Sequence, residues 1–404
     1  MSKLLKKLGP GLLFAGAAIG VSHLVQSTRA GADFGLGLLW ALLVVNLFKY
    51  PFFQFGPRYA SATGESLLHG YKKLGKGVLV FYFILNIATM FTIQAAVTIV
   101  TAGLATTLFG DFIDLKTWTI IILCICLVIL FIGKYKLLDR LMKIIIIILT
   151  ISTLIAVVFA FYKQDASLSF TQVLPKNSIE IAFLIAFMGW MPAPLDVAVW
   201  QSLWTIEKQK DEKEYTPKSA LLDYNIGYVV AIFLGISFLL LGYLVMYHSG
   251  NTFSASAAVF SNQLIEMYTK SLGSWAYIVI GIAAFTTMFS TTLTTLDASP
   301  RAMNKTMELL TNKPFNKGYL AWIIFLVIGS IIIFFYFASE MGLLIKIATI
   351  LSFLTAPFYA IINYILISGK HTPKEWHPTK ALHVLSILGI IFLIGFSIWY
   401  ITIL

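Results

Sequence analysis

Charge is scarce in this chain. Only 12% of its 404 residues are Asp, Glu, Lys or Arg, while 59% are hydrophobic. A soluble surface carries roughly a quarter charged residues, so that shortage excludes an ordinary water-soluble domain. Acids are the scarcer sign, 18 against 29 bases. Cysteine is nearly absent. Cys124 and Cys126 stand too close for an ordinary disulfide and lie in the apolar run ILCICLVIL, so they read as small buried hydrophobes. No C-x-x-C pair or Cys/His cluster is present, which removes the zinc modules. No G-x-S-x-G, H-E-x-x-H or paired carboxylates fall in the apolar segments, so neither an enzyme nor a cofactor is expected. The net charge of +11 is spread over short loops, so no nucleic-acid partner is expected.

What the chain does have is apolar runs near 20 residues, the length that crosses a hydrocarbon core of about 30 Å. Eleven spans are expected, at 10–30, 35–57, 78–108, 118–133, 144–162, 179–201, 223–247, 275–296, 319–338, 343–367 and 381–403. Lys3, Lys6 and Lys7 before the first run mimic a signal peptide, but the run continues to Ala30 without a cleavage site. The basic residues alternate between loops. With the N-terminus inside, the inner segments hold Lys3, Lys6 and Lys7, the Arg58–Lys76 group, Lys134–Lys143, Lys208–Lys218, Arg301–Lys317 and Lys370–Lys380. The outer side keeps Arg29, Lys116, Lys163, Lys176, Lys270 and Lys346, and Lys49 lies within span 2. That bias predicts a multi-pass protein of the cytoplasmic membrane, N-terminus inside and C-terminus outside. The outer segment from Phe253 to Lys270 has apolar residues at helical spacing and predicts a short surface helix.

Two spans are interrupted. Phe14 to Gly31 reads FAGAAIGVSHLVQSTRAG, with Gly16, Gly20, Ser22, His23 and Gln26 where lipid-facing residues would stand. Phe187 to Asp196 reads FMGWMPAPLD, and Pro192 with Pro194 must break a helix there. Broken helices at membrane depth occur where the freed backbone is buried or lines a cavity. A pair of them in corresponding halves points to the binding site of a transporter.

The order and spacing of several motifs resemble the Nramp family of divalent metal transporters over nearly the whole chain. They are Gly9-Pro10-Gly11, Phe34 to Asn46 (FGLGLLWALLVVN), Thr63-Gly64-Glu65, Met191-Pro192, Phe289 to Leu296 (FSTTLTTL) and Leu351 to Phe358 (LSFLTAPF). The resemblance implies an all-α integral membrane fold of the LeuT type with broken spans 1 and 6. It implies one transmembrane domain over 1–404: a first five-helix repeat at 10–162, an inverted second repeat at 179–367 and an extra span at 381–403. It also implies alternating access as a symporter, with H⁺ or Na⁺ as coupling ion and the lipid bilayer as surroundings.

The departures from that family lie at its metal site. The Asp-Pro-Gly-Asn signature of span 1 is replaced by Gly20-Val21-Ser22-His23, and the His of Met-Pro-His by Ala193. Span 3, from Phe81 to Phe109, has none of the acids that the family uses for protons. Met191 and His23 remain as soft donors suited to a late transition metal. Asp196 is the nearest acid of span 6 and is expected to face the inner vestibule, with capping a helix or pairing with a basic inner-loop residue as the competing role. The first reading is therefore a divalent transition-metal ion bound by Met191 and His23. The alternative is a small organic solute, a carboxylate or amino acid, held at the freed N–H groups of the broken helices. Gly20, Ser22, His23, Gln26, Trp190, Met191 and Ala193 are the candidate lining residues. For His23 and Gln26, hydrogen bonding between helices is the competing role. Thr291, Thr292, Thr294 and Thr295 are candidates for a Na⁺ site, against the plainer role of bonding their own helix carbonyls.

Overall fold

A computed structural model describes residues 8–110, 112–163, 168–212, 214–247, 253–254, 256–274, 276–337 and 340–403. Among these there is helix and no strand. The first span is split. Pro10 occupies the first turn of α1 (Pro10–Ala18), where its missing N–H costs nothing. The chain unwinds at residues 19–20 and resumes as α2 (Ser22–Phe34), bent by 46° from α1. The opening turns of α2, over residues 22–27, are wide π-type turns, a form that recurs at functional sites. Next come α3 (Leu39–Thr63), the short α4 (Leu67–Leu74) and α5 (Lys76–Phe109).

α6 runs from Leu115 to Lys163. It holds two apolar stretches of span length, Leu115–Ile132 and Arg140–Tyr162, and the expected inner loop between them stays helical. The reason is local: after Gly133 the connecting residues KYKLLDRLMK are good helix formers without a breaker. The sixth span is split into α7 (Ser178–Trp190) and α8 (Val197–Asp211). Asn177 starts α7 by accepting the Glu180 N–H at 2.9 Å. α9 (Pro217–Gly242) begins at a Thr216 cap and continues by wide turns to Tyr247. Then follow α10 (Ala257–Leu272), α11 (Ala276–Thr311), α12 (Gly318–Phe337), α13 (Met341–Ser368) and α14 (Lys380–Ile403).

Among the described residues, seven helices are long and apolar enough to cross a membrane, or eight counting the bent first span. The expected spans 2, 6 and 8 are helical as α3, as α7 with α8, and as α11. α3 carries Lys49 and Arg58, and the sixth span is halved. Exposed apolar stripes mark the lipid side. Ile144, Ile148 and Ile151 line α6, Ile328 and Ile332 line α12, and Ile387 and Ile391 line α14.

The expected helix after Phe253 forms as α10, with Val259 and Asn262 on its exposed face. Phe253, Ala257, Phe260, Leu264 and Met267 are all buried, because α10 turns its apolar face onto α5, α6 and α11. Cys126 is buried as expected, whereas Cys124 is exposed among residues of the lipid face.

The first span is anchored to α9. The Asp223 carboxylate accepts from the Gly9 N–H at 3.2 Å and the Gly11 N–H at 2.9 Å, and Tyr215 donates to it at 2.8 Å. These N–H groups lie at the start of α1 and lack a partner within it, so the carboxylate caps the helix from another span. Gly11 permits the approach, because a Cβ there would lie 2.0 Å from the Asp223 carbonyl oxygen.

Candidate substrate-binding site

The two breaks face each other, and a small cavity lies between them. Its first-span wall is Ala17, Ala18, Val21 and Ser22. Its sixth-span wall is Trp190, Ala193, Pro194, Val197 and Trp200. Ile93 and Val97 of α5 and Thr291 and Thr295 of α11 close the sides. The volume is about 20 Å³, room for about one water molecule or one bare ion. Hydroxyls of Ser22, Thr291 and Thr295 are the polar side-chain groups that sit beside the alkyl and indole walls. Among the described residues, no group of three or more His, Cys, Asp or Glu gathers anywhere.

The sequence candidates divide around this cavity. Ser22, Trp190, Ala193, Thr291 and Thr295 line it. Trp190 is fixed by its indole N–H, which donates to Ser352 Oγ at 2.8 Å. Gly20 lies against Thr291, where an added Cβ would come within 2.7 Å of Oγ1. Thr291 Oγ1 donates to the Gly16 carbonyl at 3.1 Å, joining α11 to the first span next to its break. Thr295 Oγ1 donates to Gln94 Oε1 at 2.7 Å. Thr292 pairs with Thr101 of α5 at 2.8 Å, and Thr294 bonds the Ser290 carbonyl at 2.7 Å. These last two are not in the cavity wall.

His23 and Met191 are brought together, but on the far side of the breaks, against α9. A Cβ on Gly235 would lie 3.4 Å from Met191 Sδ and 3.6 Å from His23 Cδ2. His23 Nε2 donates to the Ala231 carbonyl at 2.9 Å, and its Nδ1 lies 2.6 Å from Ser22 Oγ. Both side chains are fully buried, and neither is in the cavity wall. Gln26 is buried in the wide-turn stretch of α2. Asp196 does not face an open vestibule. It is 4% exposed and sits at the N-terminal end of α8, where no side chain donates to its oxygens and the backbone N–H groups of Asp196 and Val197 act on them.

A basic side chain of α3 stands at the sixth-span break. Lys49 of α3 is completely buried, and its Nζ donates to the carbonyls of Met188, Gly189, Met191 and Ala193. A lone charge inside an apolar span is costly and marks function by default, and that signal was available in the sequence. The apolar wall from Ile93, Val97 and Trp200 carried no such signal.

A second cavity, of about 190 Å³, opens near the end of α3, between α4, α8 and α11. His69, Glu207, Lys210, Arg301 and Lys305 line it. Its charges are largely neutralised by Glu207–Lys210, Asp297–Arg301 and Lys305–Glu308 pairs. Burial and the nearby Lys305 ammonium hold the His69 pKa below its usual value.

Two facing helix breaks around a small pocket, within a bundle of apolar helices, define a multi-pass membrane transporter of the LeuT type. Solved structures agree on the fold. A manganese transporter of Eremococcus coleocola superposes with a TM-score of 0.76 at 14% identity, over 98% of this chain and 86% of that one. MhsT in complex with L-phenylalanine gives 0.68 at 14% identity, over 98% and 99%. Mhp1, a nucleobase-cation-symport-1 family transporter with bromovinylhydantoin bound, gives 0.63 at 14% identity, over 97% and 92%. The particular family follows from the sequence. The Nramp model, described as natural resistance-associated macrophage protein-like, matches residues 11–402, and this chain belongs to that family. A relative from Pasteurella multocida, the uncharacterized protein PM0681, is 36% identical over 402 residues, 98% of this chain and 92% of the relative.

Proposed function

We propose that this chain is a secondary active transporter of the cytoplasmic membrane that works by alternating access around its two broken spans. Its substrate is a divalent transition-metal ion, and no catalytic chemistry is assigned to it. The observation that carries this reading is a cavity of about 20 Å³ between the breaks, the size of a single ion, in a chain of the Nramp family. His23 and Met191 lie one layer behind the cavity wall. They would serve as ligands only in a conformation that turns α1 and α2 relative to α9.

A second reading has its own observation. The cavity wall has no carboxylate, and alkyl and indole groups dominate it. A dication is poorly matched to such a wall, because an unpaired charge in a dry site is costly. A small organic solute fits it better, with an apolar body against Ile93, Val97 and Trp200 and a carboxylate on the N–H groups at the first-span break. The cavity would then widen on opening. In this reading the coupling cation is Na⁺ beside Thr291 and Thr295, next to the Gly16 carbonyl.

The test is a thermal-shift series on the purified protein with Mn²⁺, other divalent metals, amino acids and organic acids, each with and without Na⁺. A ligand selective for the native state raises the midpoint by mass action. A metal-specific rise supports the first reading. Indifference to every metal, together with a saturable rise from an organic acid, overturns it in favour of the second.

A further inference from the structure

The sixth-span break holds an internal cation. α7 ends at Trp190, so the carbonyls of Met188 and Gly189 have no partner further along the helix. Those of Met191 and Ala193 belong to the unwound segment. All four converge on one point, occupied by Lys49 Nζ, at 2.8, 2.7, 3.1 and 3.3 Å. An ammonium has three protons and here meets four oxygens, so it acts as a point charge among carbonyl dipoles. The end of α7 is also the negative end of that half-helix.

The counter-charge is placed with the same logic. Asp196 stands at the N-terminal end of α8, the positive end of the other half-helix. No side chain donates a hydrogen bond to its oxygens, the backbone N–H groups of Asp196 and Val197 act on them, and Lys49 is the basic group that acts on it electrostatically across the break. Both half-helix ends are thus neutralised by side chains of this chain. Neither residue lines the substrate cavity.

From this we infer that the carbonyl cluster at residues 188–193 is a monovalent-cation site that the chain fills with its own Lys49 ammonium. The ligand class is a compact cation of ammonium or alkali-metal size. The site holds the break open without a soluble ion, which leaves the threonines of α11 as the place for any coupling cation.

The experiment is cation rescue, read as the thermal midpoint of purified protein and independent of the transported substrate. Lys49→Ala deletes the ammonium and leaves space for a free one. Lys49→Met deletes the charge but keeps most of the volume. Chloride salts of methylammonium, ammonium, K⁺, Na⁺ and choline are compared at equal ionic strength. K49A is expected to melt lower by ~5 °C or more. Methylammonium should restore at least half of the loss in a saturable way, choline should restore none, and K49M should be restored by neither. A K49A midpoint equal to that of the parent would overturn the inference. So would recovery that is the same with choline, or the same in K49M. If K49A survives extraction only with methylammonium present, the inference stands; if it survives in neither condition, it falls.

Discussion

Gly20 shows how much one side chain can decide here. Its Cα position lies against Thr291, and the first methyl of any larger residue would meet Oγ1 at 2.7 Å. Gly20→Val is therefore expected to push α11 off the first-span break and reduce uptake more than tenfold, ~1.4 kcal/mol or more at the binding step. Uptake by Gly20→Val at the parental rate would mean that this contact opens freely. Asp223 is the matching case for stability. It accepts two backbone N–H groups of α1 and the Tyr215 hydroxyl, and a hydrogen bond to a charged group contributes about 1.5–3 kcal/mol. Asp223→Ala should lower the thermal midpoint by several degrees, and an unchanged midpoint would remove the tie between α1 and α9. Met191 separates the two substrate readings. If the cargo is a metal, Met191→Ala should weaken binding of Mn²⁺ and relax discrimination against Mg²⁺ and Ca²⁺, because the thioether disfavours hard ions. If the cargo is organic, the same variant leaves a gap against Gly235 and shifts only stability.

At the scale of an element, α4 carries the pH-sensitive surface. His69 is half-buried, with Ser66 Oγ on its Nδ1. Burial first, and then Lys305 with Lys72 and Lys73, lower its pKa from 6.5, while Glu65 pulls it upward. A histidine that binds its proton less readily when folded gives the unfolded chain the larger proton uptake. Stability is then complete above the unfolded pKa near 6.5 and erodes as pH falls through it. Glu65 works in a lower window. Partial burial pulls it upward, but the bonded Lys73 ammonium outweighs that and holds it below 4.5, so its contribution is lost only in stronger acid. Between about pH 7.5 and 5.5 the midpoint of the parent should therefore drop, and His69→Gln should flatten that drop. Equal slopes in the two proteins would rule out His69 as a source.

On the scale of the whole molecule, the distribution of Lys and Arg implies an orientation that can be checked directly. The proposed topology puts α4 and the start of α9 in the cytoplasm and the C-terminal end of α14 outside. A C-terminal reporter that is active only in the cytoplasm should stay silent, and one fused after the loop that follows α8 should be active. The opposite pattern would mean a miscounted span. The segment 133–139 is where such an error would arise, because the backbone there stays helical between two span-length stretches.

The sequence by itself determined the class of this protein. Apolar runs of membrane length, the scarcity of charge and two helix-breaking segments are local properties, and each carries its physical meaning in a window of twenty residues. Pro10, Pro192 and the Thr216 cap could be read in the same way, and the helices start or break there. What only the tertiary structure decided is which side of a broken helix meets the cavity. His23 and Met191 look like donors on the line of sequence, yet both turn toward α9, since the wide turns of α2 and the unwound residues after Trp190 rotate their side chains away from the pocket. The same unwinding brings four carbonyls onto Lys49, a residue well over a hundred positions away. Backbone carbonyls carry no sequence signature, so their convergence is visible only once the chain is folded.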